Sequence, residues 1–343
     1  MVLIKGAQAM ALHDCSINYL KPFVLSVSLC FLPLKASAVT HPKQQEADKT
    51  ISQLYHKLNA LPISDMSTRL DVISAQFLGK VYRLGALGEG ANARFDQEPR
   101  YRTDAFDCDT YVTTVLALAL ANNKHYFAQC MRKVRYKQGH VSFITRNHFI
   151  SLDWNPNNQH QHFIKDITQS FKDKNNKQVA KIAEALIDKL SWYQHFSIKT
   201  IRLNSTNKKE QKKRLTELKE KGSHLPITKA RIPYLPFTAL FDSAGHPDPY
   251  LFSQIPDGAI IEIVRPDWNL RKQIGTNLNV SHLGFAFRKQ GILYFRQASS
   301  QYGEVVEVPL IDYLHKVSTS PTIKGINVEV VVPTKPLDQG CIS

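Results

Sequence analysis

The sequence predicts an α+β protein in which helices come first and an antiparallel β-sheet follows. Apolar residues recur at helical spacing early in the chain, whereas after residue 259 they fall in short runs separated by turn residues. A helix and a sheet each have an apolar surface that is buried when one packs on the other. We therefore expect the apolar helix that begins at Cys108 to pack on the sheet.

Four helices are predicted in order. The second ends at Gly79, and the third is the apolar stretch 112–121 that follows Cys108. A fourth, amphipathic helix is predicted after residue 178. The apolar positions that define the first, second and fourth helices are Ile51, Leu54, Tyr55 and Leu58, then Leu70, Ile73 and Phe77, then Val179, Ile182, Leu186 and Leu190.

Five strands are predicted after these helices. Gln290 and Gly291 form the turn of a hairpin between the second strand and the third. The segment 155–232 is polar and rich in lysine, which predicts an insertion beside the core. The predicted strands are 260–264, 280–288, 292–297, 304–308 and 326–332.

The first 38 residues are predicted to be a signal peptide with cleavage near Ala38. An apolar run at 22–32 follows Lys21 and precedes the small residues 36–38, which is the pattern of an export signal. The run is too short to cross a bilayer, and no other apolar segment approaches that length. We therefore expect an exported protein, periplasmic or secreted and without stable membrane insertion, with a helical arm at 39–65 and one domain at 66–343.

Cysteine usage agrees with export. Of five cysteines, Cys15 and Cys30 belong to the predicted signal peptide, which leaves Cys108, Cys130 and Cys341. Because three is an odd number, at least one thiol stays free in an oxidising compartment. Cys130 and Cys341 either form a disulfide or are independent.

The formal net charge is +15, from 44 Lys plus Arg against 29 Asp plus Glu. The densest basic run, 208–221, has the spacing of a solvated surface helix. It lacks the interleaved aromatic residues that stack on bases, so we expect no nucleic-acid partner. An acidic polymer or peptide is the better match to this charge.

Cys108 and His282 are the candidate nucleophile and base. Cys108 stands where a loop becomes an apolar helix, and the positive end of a helix dipole favours thiolate over thiol. His282 stands near the start of a predicted strand. A cysteine activated by a distant histidine is the minimal apparatus of a cysteine hydrolase.

The sequence motifs around these two residues resemble those of a known family. Phe-Asp-Cys-Asp-Thr-Tyr-Val at 106–112 and Ser-His-Leu-Gly-Phe-Ala at 281–286 resemble the NlpC-type, papain-like bacterial cell-wall cysteine hydrolases. The chain is more similar still to their N-acetylmuramoyl-L-alanine amidase-like branch, once catalogued as a domain of unknown function. The resemblance implies a papain-like fold. The matching stretches are 77–82, 85–90, 106–121, 146–149, 153–154, 256–261 and 280–300.

The resemblance also implies a third active-site position, which is commonly histidine in the family and is Gln297 here. Its side-chain carbonyl is expected to accept the Nδ1–H of His282 and leave Nε2 toward the sulfur. The alternative is that Gln297 is an ordinary strand residue. The implied substrate-binding residues, with Tyr82 as an oxyanion donor and 146–154 as cleft walls, are Tyr82, Arg146, Asn147, His148, Asp153, Trp154 and Ser281.

A metal site is the rival chemistry. The spacings of its candidates match no common ligand pattern, so we expect neither a metal nor another cofactor. The candidate ligands are His140, His148, Asp153, His160 and His162.

The function that the resemblance implies is cleavage of the amide between N-acetylmuramic acid and L-alanine in peptidoglycan fragments that carry stem peptides. One alternative is cleavage of the γ-D-glutamyl bond to the diamino acid. Another is an inactive wall-binding module.

Overall fold

The fold is built around helix α3 (Cys108–Leu120), whose residues from Thr110 onward are all buried. The structure is a computed structural model that describes residues 40–63 and 65–342. The predicted signal peptide, with Cys15 and Cys30, lies outside the described residues. Three further helices surround α3: α1 (Pro42–Ala60), α2 (Met66–Ala75) and α4 (Lys124–Arg135). None of the helices in the described ranges is both long and apolar enough to cross a membrane.

The strands are β1 Val81–Tyr82, β2 Ala105–Phe106, β3 Ile164–Asp166, β4 Lys181–Asp188, β5 Ile227–Pro236, β6 Ala259–Leu270, β7 Thr276–Lys289, β8 Ile292–Ser299, β9 Glu304–Pro309 and β10 Gly325–Val331. They form one mixed sheet in the order β2-β1-β9-β8-β7-β6-β10-β5-β4, and β3 pairs with β10. The β1–β2 pair is parallel, and the other pairs are antiparallel. Strands at all five predicted positions are present, with Gln290 and Gly291 between β7 and β8.

The sheet is covered on both faces. On β6, Ile260 packs in the cluster that contains α1 to α4, while Ile261 packs in a second cluster with the helices of the other face. Because alternate residues of a strand point to opposite faces, both faces of the central strands are apolar. The remaining helices are α5 Asn155–His160, α6 Lys189–Gln194, α7 Lys208–Ser223, α8 Phe237–Leu240, α9 Pro249–Ser253, α10 Arg271–Ile274 and α11 Leu310–Ser318.

The predicted fourth helix is wrong, because residues 181–188 form strand β4, which pairs along its length with β5. The buried side chains of β4 are Ala183, Ala185 and Ile187, whereas Ile182 and Leu186 are exposed. The inward residues therefore follow the period of two of a strand, and two small alanines concealed it. Part of the segment 155–232, expected beside the core, thus extends the sheet itself.

Candidate active site

Cys108 is the first residue of α3, and Asp107 is the N-cap before it. Oδ1 of Asp107 accepts the backbone N–H of Thr110 at 2.8 Å, and the Thr110 hydroxyl accepts the N–H of Asp107 at 2.9 Å. This reciprocal capping box satisfies backbone groups that a helix start leaves unpaired. Asp107 and Thr110, two polar residues beside Cys108, therefore have a structural task, which is to fix the start of its helix.

Asp107 also anchors the loop 85–90. Its Oδ2 accepts the backbone N–H of Gly85 at 2.7 Å. From outside, the guanidinium of Arg202 donates to the carbonyl oxygens of Gly85 and Leu87 and pairs with the buried Asp96. This series of contacts runs from the segment after β4 to the start of α3.

Asp96 is held by a second arginine, Arg146, which also pairs with Glu89. Burial alone would raise the pKa of Asp96, but the two guanidinium groups bring it below its ordinary value. Asp96 is therefore an ionised group within the fold, and it ties Arg146 and Arg202 to the loop 85–90.

The thiol of Cys108 is half-buried and neutral at pH 7. Burial raises its pKa, and the carboxylates of Asp107 and Asp109 raise it further. Hydrogen bonds from the backbone N–H groups of Leu283 and Asp109 act in the opposite direction but are weaker. The sequence-based expectation of a thiolate is therefore wrong for this structure, because burial and two flanking carboxylates outweigh the helix dipole.

His282 lies in β7, directly before Leu283, whose N–H meets the sulfur of Cys108. Val280 pairs with Val264 and His282 with Ile263, so the intervening Ser281 is unpaired in a β-bulge. Bulges often re-aim a neighbouring side chain. Here the bulge sits one residue before the candidate base.

The Nε2 atom of His282 is hydrogen-bonded to the side-chain carbonyl oxygen of Gln297 in β8. The predicted pair is present, but the nitrogen differs from the one expected, which was Nδ1. Because an amide carbonyl only accepts, Nε2 carries the proton and Nδ1 has the free lone pair. Burial lowers the pKa of His282 to about 4, so the imidazole is neutral at pH 7.

Two tyrosines flank the pair. Burial raises the pKa of Tyr82 to about 12, and the neighbouring Cys108 and Asp107 contribute to this rise. Burial likewise raises the pKa of Tyr313 in α11, with a contribution from Cys108. The Tyr313 ring centroid lies 6.3 Å from that of His282 and 4.9 Å from that of Phe295. Tyr82 and Cys108 pack against the same apolar cluster, and both tyrosines interact electrostatically with Cys108.

Sequence reasoning missed Tyr313 because helix α11 was not predicted. The apolar residues Leu310, Leu314 and Val317 have helical spacing after Pro309, and this signal was sufficient to find the helix. That its Tyr313 meets β7 and β8 follows only from the tertiary arrangement.

The residues predicted as cleft walls are mostly engaged inside the protein. Trp154 is 1% exposed, and its Nε1–H donates to Oγ1 of Thr113 at 3.0 Å. This burial leaves almost none of the Trp154 surface available to form a cleft wall. The other contacts are Asn147 Nδ2 to the Val134 carbonyl at 3.1 Å, His148 Nε2 to the Phe143 carbonyl at 2.7 Å, Asp153 with Lys189 at 2.6 Å, and the Ser281 hydroxyl to the Ile263 carbonyl at 3.3 Å.

Arg146, Asn147 and Asp153 also line a cavity of about 540 Å³. Neither Cys108 nor His282 is among its lining residues, so these three side chains line a separate depression.

In residues 40–63 and 65–342, no three His, Cys, Asp or Glu side chains are grouped so that they would hold a metal ion.

Cys130 in α4 forms a disulfide with Cys341, which lies 211 residues further along the chain. This settles the alternative that the sequence left open. Within the described part of the chain, Cys108 is the cysteine that remains free.

The chain is similar to a known family and to several solved structures. A family model described as N-acetylmuramoyl-L-alanine amidase-like matches residues 72–323. A crystal structure of a Legionella pneumophila protein, from a family named DUF1460, is 56% identical, with 87% of this chain and 98% of that chain covered and a TM-score of 0.84. No curated protein matches the sequence.

Two crystal structures named as an N-acetylmuramoyl-L-alanine amidase from Bacteroides uniformis are more distant. One is 25% identical, covering 78% of this chain and 98% of that chain, with a TM-score of 0.54. The other is 26% identical, covering 79% and 100%, with a TM-score of 0.53.

Proposed function

The chain belongs to the N-acetylmuramoyl-L-alanine amidase-like family, and from this premise we propose that it hydrolyses the amide between N-acetylmuramic acid and L-alanine in peptidoglycan fragments. We assign the nucleophile to Cys108, the base to His282 and the orienting group to Gln297. A cysteine at a helix start beside a histidine on a sheet supports a papain-like, NlpC-type assignment.

The first step is proton transfer from sulfur to imidazole. Both groups are neutral in the free enzyme, so His282 acts as a general base through Nδ1 while Sγ of Cys108 attacks the carbonyl carbon. Gln297 keeps the other proton on Nε2 and so fixes the tautomer that the step requires. The sulfur–carbon bond forms as the carbonyl π bond opens to an oxyanion.

The oxyanion is stabilised by donors at the start of α3. The backbone N–H of Cys108 has the position of such a donor, and the hydroxyl of Tyr82 is the second. Because its pKa is raised, Tyr82 keeps its proton over the whole working range and can donate it in a hydrogen bond.

Collapse of this intermediate breaks the carbon–nitrogen bond. The imidazolium of His282 gives its proton to the leaving amine of L-alanine, and a thioester on Cys108 remains. His282 then takes a proton from water, which attacks the thioester and releases the muramic acid carboxylate. Atoms and charges balance with water as the sole co-substrate.

We also propose that the protein works outside the cytoplasm. The Cys130–Cys341 disulfide supports this, since disulfides persist in oxidising compartments. Mass spectrometry of the protein from its native host is expected to show a mature N-terminus near Val39.

The observation that carries the proposal is the position of the free Cys108 thiol, at a helix start and against the peptide of Leu283 beside His282. The test is incubation with a disaccharide that bears L-alanine, D-glutamate and diaminopimelate, followed by mass spectrometry. An amidase releases the intact tripeptide and the unsubstituted sugar. An endopeptidase leaves alanyl-glutamate on the sugar, and a binding module returns the substrate.

Cys108→Ala is the matched control, and its fold is checked by circular dichroism. We expect loss of at least three orders of magnitude in kcat/KM with the fold intact. Iodoacetamide is expected to label Cys108 in the wild type. Full turnover by a folded Cys108→Ala variant would exclude the cysteine mechanism while leaving the family assignment in place.

A further inference from the structure

An unpaired lysine lies beside the candidate active site. Lys316 is on the exposed side of α11, one helical turn after Tyr313. Its Nζ lies 5.8 Å from the ring centroid of Tyr302, which is 53% exposed. Asp312 is four residues earlier on the same helix, yet it forms no ion pair with Lys316 in the described structure.

Two contacts connect this lysine to the reacting groups. Tyr313 packs against His282 and is close to Cys108, and side chains three residues apart on a helix are about 5–6 Å apart at Cβ. On the other side, Tyr302 precedes Gly303, whose carbonyl accepts the backbone N–H of Tyr82 at 2.7 Å. Lys316 therefore stands at the rim of the site, between the elements that carry Tyr82 and Tyr313.

The chemistry of this rim suits an anion. The face of an aromatic ring attracts an ammonium group and so favours an extended lysine that points over Tyr302. The ammonium has three N–H donors, and in the described structure no carboxylate uses them. A substrate carboxylate that reaches this point would meet an available cation.

The proposed substrate has such a group close to the scissile bond. In a stem peptide joined through the γ-carboxyl of D-glutamate, the α-carboxylate of that residue stays free. It lies one residue beyond the L-alanine amine, or about 4–7 Å from the scissile bond on the scale of an extended chain. On the protein side, Tyr313 lies against His282 and Lys316 follows it by one turn of α11, so a carboxylate one residue from the scissile bond is directed toward this part of the rim.

We propose that Lys316, held over Tyr302, binds the free α-carboxylate of the second stem-peptide residue and so sets the preference of the site for acidic over amidated stem peptides. This inference rests on the proposed amidase function and adds a specificity-determining residue to it. Lys316 touches no reacting atom, so its removal is expected to change substrate preference and leave the chemical step intact.

The test uses two ligands that differ in one group, a disaccharide tripeptide with the free α-carboxylate and the same molecule with an amide there. Their dissociation constants are measured by isothermal titration calorimetry with the Cys108→Ser variant, which prevents turnover. We expect the acidic ligand to bind about threefold to fivefold more tightly, the upper part of the range of exposed ion pairs, and the ratio to fall as salt is added. Lys316→Met in the same background is expected to bring the ratio to one, and Lys316→Arg to keep it.

Lys212→Met is the control, because Lys212 is also an exposed helical lysine, but on α7. It is expected to keep the ratio. A ratio of one in the parent protein, or an unchanged ratio in Lys316→Met, would overturn the inference. Failure of the amidase proposal is seen separately, as an absence of released tripeptide when the protein with Cys108 intact is incubated with either ligand.

Discussion

The Nε2 atom of His282 is hydrogen-bonded to the side-chain carbonyl of Gln297, which comes from the neighbouring strand. An amide at this position fixes the ring without titrating, so it holds one tautomer at every pH at which the imidazole is neutral. Because burial keeps the imidazole neutral, the bond serves orientation rather than charge stabilisation. Gln297 itself is 1% exposed. The nitrogen of its side-chain amide has no hydrogen-bond partner in the described structure.

Gln297→Ala is expected to lower kcat/KM by about tenfold to a hundredfold, because it leaves the buried N–H of His282 without an acceptor. Steady-state hydrolysis of the disaccharide tripeptide measures this. Gln53→Ala, on the exposed surface of α1, is the control and should match the wild type. Wild-type kinetics for Gln297→Ala would assign the orienting role to another residue.

The rate of the wild type is expected to rise as pH increases through about 4 and to show no inflection near 6.5. The reason is that burial lowers the pKa of His282 to about 4, and a protonated imidazole cannot take the thiol proton. A kcat/KM profile from pH 3.5 to 8 measures it. Gln297→Glu should move the acid limb to higher pH, because a carboxylate stabilises the imidazolium. An inflection near 6.5 in the wild type would contradict the burial of the base.

Arg202→Met is expected to slow alkylation of Cys108 by iodoacetamide or to change its pH dependence, and to lower the free energy of unfolding by about 1–3 kcal/mol. Arg202 donates to the carbonyls of Gly85 and Leu87, and Gly85 in turn binds the N-cap Asp107. Arg202→Lys should rescue part of the effect. The control Arg231→Met removes an exposed arginine of β5, and equal alkylation in the two Met variants would show that Arg202 has no positioning role.

Glu262→Gln combined with Glu329→Gln is expected to stabilise the protein increasingly as pH rises from 6 to 9. Burial raises the pKa of both carboxyls, and the charge of Glu262 raises that of Glu329 further. The pKa values of both carboxyls are higher in the folded protein than in the unfolded chain. The stability that these two groups contribute is therefore fully present below about pH 4.5 and is lost as the pH rises through their folded pKa values. Glutamine has no charge to lose.

Thermal unfolding of the variant and the wild type at each pH measures this difference. Glu184→Gln, an exposed residue of β4, provides the control and should give a difference that does not change with pH. A constant difference for the buried pair as well would mean that these carboxyls are not protonated at neutral pH.

Much of the fold can be predicted from local sequence patterns. The hairpin at Gln290 and Gly291 and the helix headed by Cys108 were predictable, because turn chemistry and apolar periodicity are properties of short segments. Strand β4 was not, since Ala183 and Ala185 fill its inward positions and the larger residues Ile182 and Leu186 point to solvent. Pairing with β5 overrides the helical spacing of those larger residues.

The site divides in the same way. Cys108 and His282 were predicted from their local context, and Gln297 from the family resemblance; their catalytic roles stay predictions. Which nitrogen of His282 meets Gln297 depends on the register of β7 against β8 and on the bulge at Ser281, and the charge state of Cys108 depends on its burial. These properties depend on tertiary contacts between distant segments, so they cannot be predicted from local sequence patterns.

The bond between Cys130 and Cys341 makes a covalent ring of the chain between them. His282 and Gln297 lie within this ring, as does the lysine-rich helix α7, whereas Cys108 lies outside it. One proteolytic cut anywhere in the ring opens it without separating the pieces. A protein nicked by trypsin near α7 should therefore migrate as one species on a non-reducing gel and as two after reduction, with its nucleophile and base still on one covalent molecule.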